Sequence, residues 1–292
     1  MLWNLNRQDL YKGVLKLKAK LNKLKQSIKK LKKITVAFSG GVDSTFLLRV
    51  CKDVLGKENV MAVTASSGVL SEVELKEAKA LALDMGVSHE IIQFDELEVL
   101  GFSDNPPERC YYCKRELFKK FLNFAQEKGY DNLVDGTNAD DSGDFRPGMK
   151  ALKELRIKSP LKEVGLTKEE IRALSKTLGL STWDKPSFAC LASRFPYGER
   201  ISREKLKRVG EAEEVLRGLG FCQFRVRCHG DLARIEVLPS QLDKFFDIDL
   251  RNDIVDKFKE LGFTYITLDM IGYRSGSLNE VLKEEDMASW KG

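Results

Sequence analysis

A chain of 292 residues with 42% hydrophobic and 32% charged side chains and a net charge of +5 has the composition of a folded, soluble protein. No apolar run approaches the roughly 20 residues of a membrane-spanning helix, and basic residues interrupt the N-terminal stretch too often for a signal-peptide core, so a cytoplasmic protein is expected. Most of the charge is local: ten lysines and no acidic residue fall between Lys12 and Lys33, the remainder is near balance, and nucleic acid is not an expected partner.

Residues 8–33 read as one helix. Leu10, Val14, Leu17, Leu21, Leu24, Ile28 and Leu31 recur at spacings of four and three, an apolar seam with lysines on the other faces. Such a seam packs on the body of the protein or on a neighbouring subunit, and a homo-oligomer is expected. A strand at 34–38 leads into a glycine turn and a helix at 44–55. Apolar runs at 60–65, 90–94 and 132–135 then alternate with helical periods at 72–85, 115–128 and 167–178. The last of these opens on Thr167 with Glu170 three residues on, a capping-box pattern. This alternation predicts an α/β fold, an open parallel sheet with helices on both faces. Residues 184–197 read as a loop. The pattern changes near 198–204, after which a helix at 204–219, strands at 223–227 and 233–237, a helix at 250–261 and a strand at 265–268 suggest a smaller α+β unit. The expected organisation is an N-terminal basic helix over 1–33, a main domain over 34–200, and a C-terminal unit over 201–292 for substrate binding or oligomerisation.

The segment 34–45 reads ITVAFSGGVDST. A strand feeding a Ser-Gly-Gly turn and then a helix aims several backbone N–H groups at one point, a ready anion site. Gly40 and Gly41 let backbone approach a phosphate, while Ser39, Ser44 and Thr45 add hydroxyl donors. The loop has no lysine and is therefore not a Walker-type loop. The pattern SGGxDS resembles the PP-loop of the N-type ATP pyrophosphatases, which share an adenine nucleotide alpha hydrolase-like fold. The resemblance implies that ATP gives up pyrophosphate while AMP joins a substrate oxygen, with Asp43 holding Mg2+ or positioning the nucleotide. Gly136 and Thr137 end another strand at its carboxyl edge, where open α/β sheets bind ligands. Asp140, Asp141, Asp144 and Arg146 fall beside that edge.

Six cysteines (Cys51, Cys110, Cys113, Cys190, Cys222 and Cys228) are too scattered for a disulfide framework in a chain of this length. Cys51 reads as core, and Cys222 and Cys228 as structural positions on or beside a strand. Cys110 and Cys113 form a C-x-x-C pair, and Cys190 stands alone in ACLASR. Spacing leaves the pair ambiguous between zinc, redox and cluster chemistry; three cysteines without a fourth ligand suit a 4Fe–4S cluster with one iron open.

Read together, SGGVDS, DGTNADD (135–141), SPL (159–161), WDKPSFACLASR (183–194), RVRCHGDLARIEV and GYRSGS resemble the LarE family, ATP-dependent sulfur transferases of nickel-pincer cofactor synthesis. The resemblance extends from about residue 34 to 279. It implies adenylylation of a carboxylate on pyridinium-3,5-biscarboxylic acid mononucleotide, followed by conversion to a thiocarboxylate. Cys190 matches the family's sulfur-bearing cysteine. In the sacrificial form of the enzyme that thiolate gives up its own sulfur and becomes dehydroalanine. The additional C-x-x-C pair matches the subset in which Cys110, Cys113 and Cys190 hold a 4Fe–4S cluster, with sulfide or another donor supplying sulfur. Arg225 and Arg227 share one face of a strand and suit a phosphate, the mononucleotide's in this family. Arg194, with Ser193 beside it, reads as a charge stabiliser for the adenylate or pyrophosphate. The rival readings are a tRNA thiolation enzyme and a non-enzymatic nucleotide or Fe–S carrier.

Overall fold

The computed structural model describes residues 7–69, 72–142, 147–186 and 189–283; Asp144 and Arg146 lie outside the described residues. Four strands, β1 (Ile34–Ala37), β2 (Val60–Ser66), β3 (Ser88–Gln93) and β4 (Asn132–Val134), form a parallel sheet in the order β3-β2-β1-β4. Between them run α2 (Val42–Leu55), α3 (Glu72–Asp84) and α4 (Arg109–Glu127), preceded in the chain by α1 (Arg7–Lys29). The pleat explains why the strands lack polar alternation. Val60 and Ala62 face one way, into a core that holds residues of α1, α2 and α3, whereas Met61 and Val63 face a second core with Phe118 and Phe121 of α4. The expected doubly covered α/β sheet is what forms.

Beyond β4, the short helices α5 (Gly148–Glu154) and α6 (Pro160–Glu163) lead to α7 (Lys168–Thr177). The capping box read from sequence closes α7: Thr167 accepts from the Glu170 N–H, and Glu170 accepts from the Thr167 N–H. The chain then crosses to α8 (Arg203–Gly218), an antiparallel pair β5 (Phe224–His229) and β6 (Leu232–Val237), α9 (Ile248–Glu260) and β7 (Tyr265–Leu268). This second sheet runs β5-β6-β7, with β7 parallel to β6. Its hydrophobic core draws on residues well before α8: Phe102, Ala192 and Phe195 are buried among Leu206, Val226 and Phe258. The C-terminal sheet thereby shares its core with segments that belong to the earlier part of the chain.

α4 starts six residues before the position its periodicity suggests, at Arg109, so Cys110 and Cys113 lie in its first turn. Pro106 and Pro107 just before it are the start signal that the cysteines and tyrosines, weak helix formers, obscure. The seam of α1 is used in part. Leu24 and Ile28 are fully buried in the main core and Leu17 and Leu21 pack against it, but Val14 stays 51% exposed. Lys20 fixes the same helix by reaching Glu170 at 2.6 Å and the Gly165 carbonyl at 2.6 Å. Among the described residues no helix is long and apolar enough to cross a membrane.

If α1 is anchored by its second half, Leu24→Ala should cost about 2–5 kcal/mol in urea unfolding. Val14→Ala should stay within about 0.5 kcal/mol of the parent. Equal losses at both positions would mean that the helix is held along its whole length.

Candidate active site

The strand order places β1 and β4 side by side, and the chain leaves them in opposite directions across the sheet, so a crevice opens beyond their carboxyl ends. The SGG turn lines one side of it and residues 135–138 the other. The turn is formed by its own hydroxyls. Ser44 Oγ accepts from the Ser39 N–H at 3.3 Å and lies 3.2 Å from the Gly41 carbonyl, and Ser39 Oγ sits 3.2 Å from Ser44 Oγ. Gly40 has φ +68°, and a Cβ there would come within 3.1 Å of the Ala78 backbone in α3. A Cβ on Gly136 would come 3.0 Å from the Ser44 nitrogen, so this glycine lets the β4 turn rest against the first turn of α2. The Thr45 hydroxyl is buried without a hydrogen-bond partner, as is Oδ1 of Asp43.

Asp43 is the charged centre of this crevice. Its Oδ2 accepts from Lys168 Nζ at 2.6 Å and from Asn138 Nδ2 at 3.4 Å. Burial raises its pKa, Lys168 opposes that rise, and the nearby Asp141 carboxylate adds to it. Thr137 and Ser159, the latter from the SPL motif, both donate to the buried Asp135, which fixes the turn that follows β4. Lys185 reaches across from the WDK motif: its Nζ donates to the Gly40 carbonyl at 3.1 Å and pairs with Glu77 at 2.7 Å. Sequence reading missed Lys168 and Lys185, whose partners lie 125 and 145 residues away. The one local signal was a lysine at the first position of α7, where the helix dipole disfavours positive charge.

The three candidate cysteines come together from separate parts of the chain. Asn105 is the joint. It accepts from the buried Arg109 guanidinium at the start of α4, and its amide donates to the carbonyls of Phe195 at 3.3 Å and Pro196 at 2.7 Å. The Leu191 N–H adds a bond to the Val69 carbonyl at 3.3 Å. Cys113 feels the charges of Cys190 and Cys110, Cys190 feels that of Cys110, and both feel Arg109 and the buried Glu96. Cys190 is exposed by surface area, yet its thiol sits where solvation is poor. Burial pushes its pKa up to about 11, with Arg109 and the Ala192 N–H pulling the other way. Burial likewise raises the Cys113 thiol, and for the same reason Glu96 titrates above the usual carboxylate range although it is bonded to Ser67 and the Gly68 backbone. Among the described residues no three His, Cys, Asp or Glu side chains stand at the spacing of a single metal ion. Cys51 and Cys228 are buried in the two cores, and Cys222 is exposed before β5.

The arginines sit beside this group. Arg194 is 1% exposed and forms a bidentate pair with Glu213 of α8, at 2.6 and 2.8 Å. Its remaining nitrogen donates to Ser193 Oγ at 2.8 Å and the Cys190 carbonyl at 3.3 Å. The guanidinium read from sequence as a charge stabiliser is thus paired with a carboxylate and braces the Cys190 turn. Arg225 and Arg227 are both buried, so the β5 face they share is not a solvated one. Arg227 pairs with Glu236 at 3.0 Å and donates to the Ser193 carbonyl at 2.6 Å and to Ser277 Oγ at 2.8 Å. Arg225 stacks 5.1 Å from the Tyr273 ring. Burial, with Arg194 close by, pushes its pKa down to about 10.

A parallel sheet carrying a Ser-Gly-Gly turn and an aspartate at its switch point defines an ATP pyrophosphatase of the PP-loop class. In keeping with this, residues 15–109 match the family model described as NAD synthase. Longer similarities narrow the class. The uncharacterized protein slr1717 of Synechocystis is 47% identical over 266 residues, covering 91% of this chain and 99% of that protein. The pyridinium-3,5-bisthiocarboxylic acid mononucleotide synthase of Lactiplantibacillus plantarum is 38% identical over 265 residues, covering 90% of this chain and 95% of the enzyme. A tRNA-specific 2-thiouridylase of Rickettsia africae is 27% identical over 188 residues, about half of each chain. The chain belongs to the LarE family.

Two measurements check this geometry. Glu213→Gln leaves the Arg194 cation buried and should cost about 3–5 kcal/mol in chemical unfolding. His89 supplies a pH dependence. Its Nε2 lies 2.8 Å from Thr64 Oγ1, whose proton goes to the Phe38 carbonyl at the mouth of the SGG turn. Burial, with Lys79 nearby, lowers the His89 pKa. A folded-state pKa below the unfolded value means that stability is lost as pH falls through the ordinary range near 6.5. His89→Gln should therefore flatten the loss of stability between about pH 7 and 5.

Proposed function

We propose that this chain is an ATP-dependent sulfur transferase that adenylylates a carboxylate of pyridinium-3,5-biscarboxylic acid mononucleotide and converts it to a thiocarboxylate. The observation that carries this reading is the bridge between two chemistries. The WDK segment touches the phosphate turn through Lys185, and five residues later the same segment delivers Cys190 to Cys110 and Cys113. On this reading the activated carboxylate and the sulfur site are neighbours served by one segment of chain.

The roles follow from the residues. Backbone N–H groups of the SGG turn and the first turn of α2 hold the β- and γ-phosphates, with Ser39, Ser44 and Thr45 as hydroxyl donors. Asp43, with one oxygen buried and unpaired, fits a Mg2+ ligand. When bound, Mg2+ supplies charge neutralisation on the phosphates. The substrate carboxylate oxygen attacks the α-phosphorus, and pyrophosphate leaves with the electron pair of the broken P–O bond. Sulfur then attacks the acyl carbon, and AMP departs. Arg225 and Arg227 suit the substrate phosphate, held at the Ser193 turn beside the thiols.

Three converging thiols fit a 4Fe–4S cluster with Cys110, Cys113 and Cys190 as ligands. When bound, the cluster supplies an iron without a protein ligand, which carries the sulfur. The chain itself positions Cys190 through the Ala192 N–H and Arg194, and orients the pair by the start of α4. Free cysteines and cluster chemistry both suit a reducing cytoplasm. Self-association would draw on surface such as the edge strand β7 and the turn after it, where Tyr265, Met270 and Ile271 are exposed.

Protein purified without oxygen should thiolate the mononucleotide several times per chain when given ATP and sulfide, while the mass of Cys190 stays unchanged. Cys110→Ser should remove the iron and limit product to one sulfur per chain or fewer. A Cys190 lighter by one molecule of hydrogen sulfide would instead establish the sacrificial route. Salt-sensitive binding of tRNA with no mononucleotide turnover would replace the substrate altogether.

A further inference from the structure

Among the described residues, Lys168 is the side chain at the phosphate crevice whose placement breaks local rules without a structural return. A cation at the first position of a helix opposes the helix dipole, and α7 already has a complete capping box from Thr167 and Glu170. Its ammonium leaves α7 to bond Asp43 Oδ2 at 2.6 Å. Its backbone N–H is taken by Asp140 Oδ2 at 2.8 Å, which fixes the direction in which the side chain departs. On the other side of Asp43 stands Asp141, held by the Asn138 N–H at 2.8 Å. The ammonium thus pairs with Asp43, whose carboxylate also feels the charge of Asp141, while Asp140 holds the Lys168 backbone N–H beside the SGG turn. Without it the carboxylates would repel one another, and the crevice would attract a free divalent cation.

We propose that Lys168 is a resident counterion that excludes divalent metal from the nucleotide-free site, so that Mg2+ enters only with ATP and displaces the lysine from Asp43. The proposal rests on reading the crevice as a Mg·ATP site. It makes Lys168 a positioning residue that enforces an order of entry. A free metal must expel the ammonium and recovers only carboxylate contacts. A metal arriving with ATP brings phosphate oxygens, and these accept the released ammonium. The exchange leaves every charge paired: the divalent cation replaces the ammonium at the aspartate, its extra charge is met by the phosphates that arrive with it, and the lysine moves to those phosphates. Asp43 Oδ1, buried and without a partner while Oδ2 is occupied, is the oxygen left over for the metal.

The test uses full-length protein and Mn2+ as the probe, with bound and free ion separated by electron paramagnetic resonance. Wild-type protein without nucleotide should bind Mn2+ weakly. Lys168→Met should tighten that binding by about tenfold or more, the size of an ordinary coupling between two ligands. Lys168→Arg should restore the wild-type affinity, and Asp43→Asn added to Lys168→Met should remove the gain. With ATP present, wild type should bind Mn2+ tightly, and the difference between wild type and Lys168→Met should shrink. Equal Mn2+ affinity of nucleotide-free wild type and Lys168→Met overturns the proposal, as does failure of arginine to restore exclusion. If Lys168→Met gains Mn2+ affinity but the wild type shows no ATP-dependent pyrophosphate release, the reading of the reaction fails and the counterion role stands.

Discussion

The approach of two backbones across the sheet's switch point is the constraint on which the rest depends. Gly136 rests against the first turn of α2 with no room for a Cβ, and that contact joins the turn after β1 to the turn after β4. Everything charged in the crevice is positioned from these two turns. Asp43 belongs to one, Asn138 and Asp141 to the other, and Lys168 and Lys185 are recruited to them from later in the chain. Hydrogen bonds of Ser39 and Ser44 hold the anion-binding face of the first turn in shape before any ligand arrives. Such preorganisation lets a site bind phosphate without first spending free energy on ordering its own loop.

Legibility in the sequence followed the range of the interaction. The SGG turn was readable because its chemistry is complete within seven residues: glycines, hydroxyls and an aspartate on a strand–turn–helix frame. The parallel sheet and the capping box of α7 were readable for the same reason, being set by periodicity and by neighbours three residues apart. Lys168, Lys185 and Asn105 were not. Each acts on partners some 90 or more residues distant, and nothing in their immediate surroundings says which way they turn. The arginines mark the boundary between these cases. Strand alternation correctly put Arg225 and Arg227 on one face, but only the fold shows that the Ser193 turn, Tyr273 and Ser277 meet it, or that Glu213 claims Arg194.

The cysteine group shows how such a site is assembled without sequence proximity. C-x-x-C places two thiols one turn apart, and the third arrives 77 residues later by a route that Asn105 fixes at both ends. Arg109 and Glu96, one of each sign, are buried beside the thiols. The setting is poorly solvated but not apolar, and sulfur there is shaped by fixed charges more than by water.

The second hydrophobic core has a consequence for how this protein can vary. Phe102, Ala192 and Phe195, which flank the sulfur site, are packed inside the C-terminal sheet that also bears the arginines. A family member cannot exchange this sheet as a cassette, because the cassette's interior contains residues that flank the cysteine group. Divergence of the C-terminal sheet therefore leaves its trace in the packing around the cysteines.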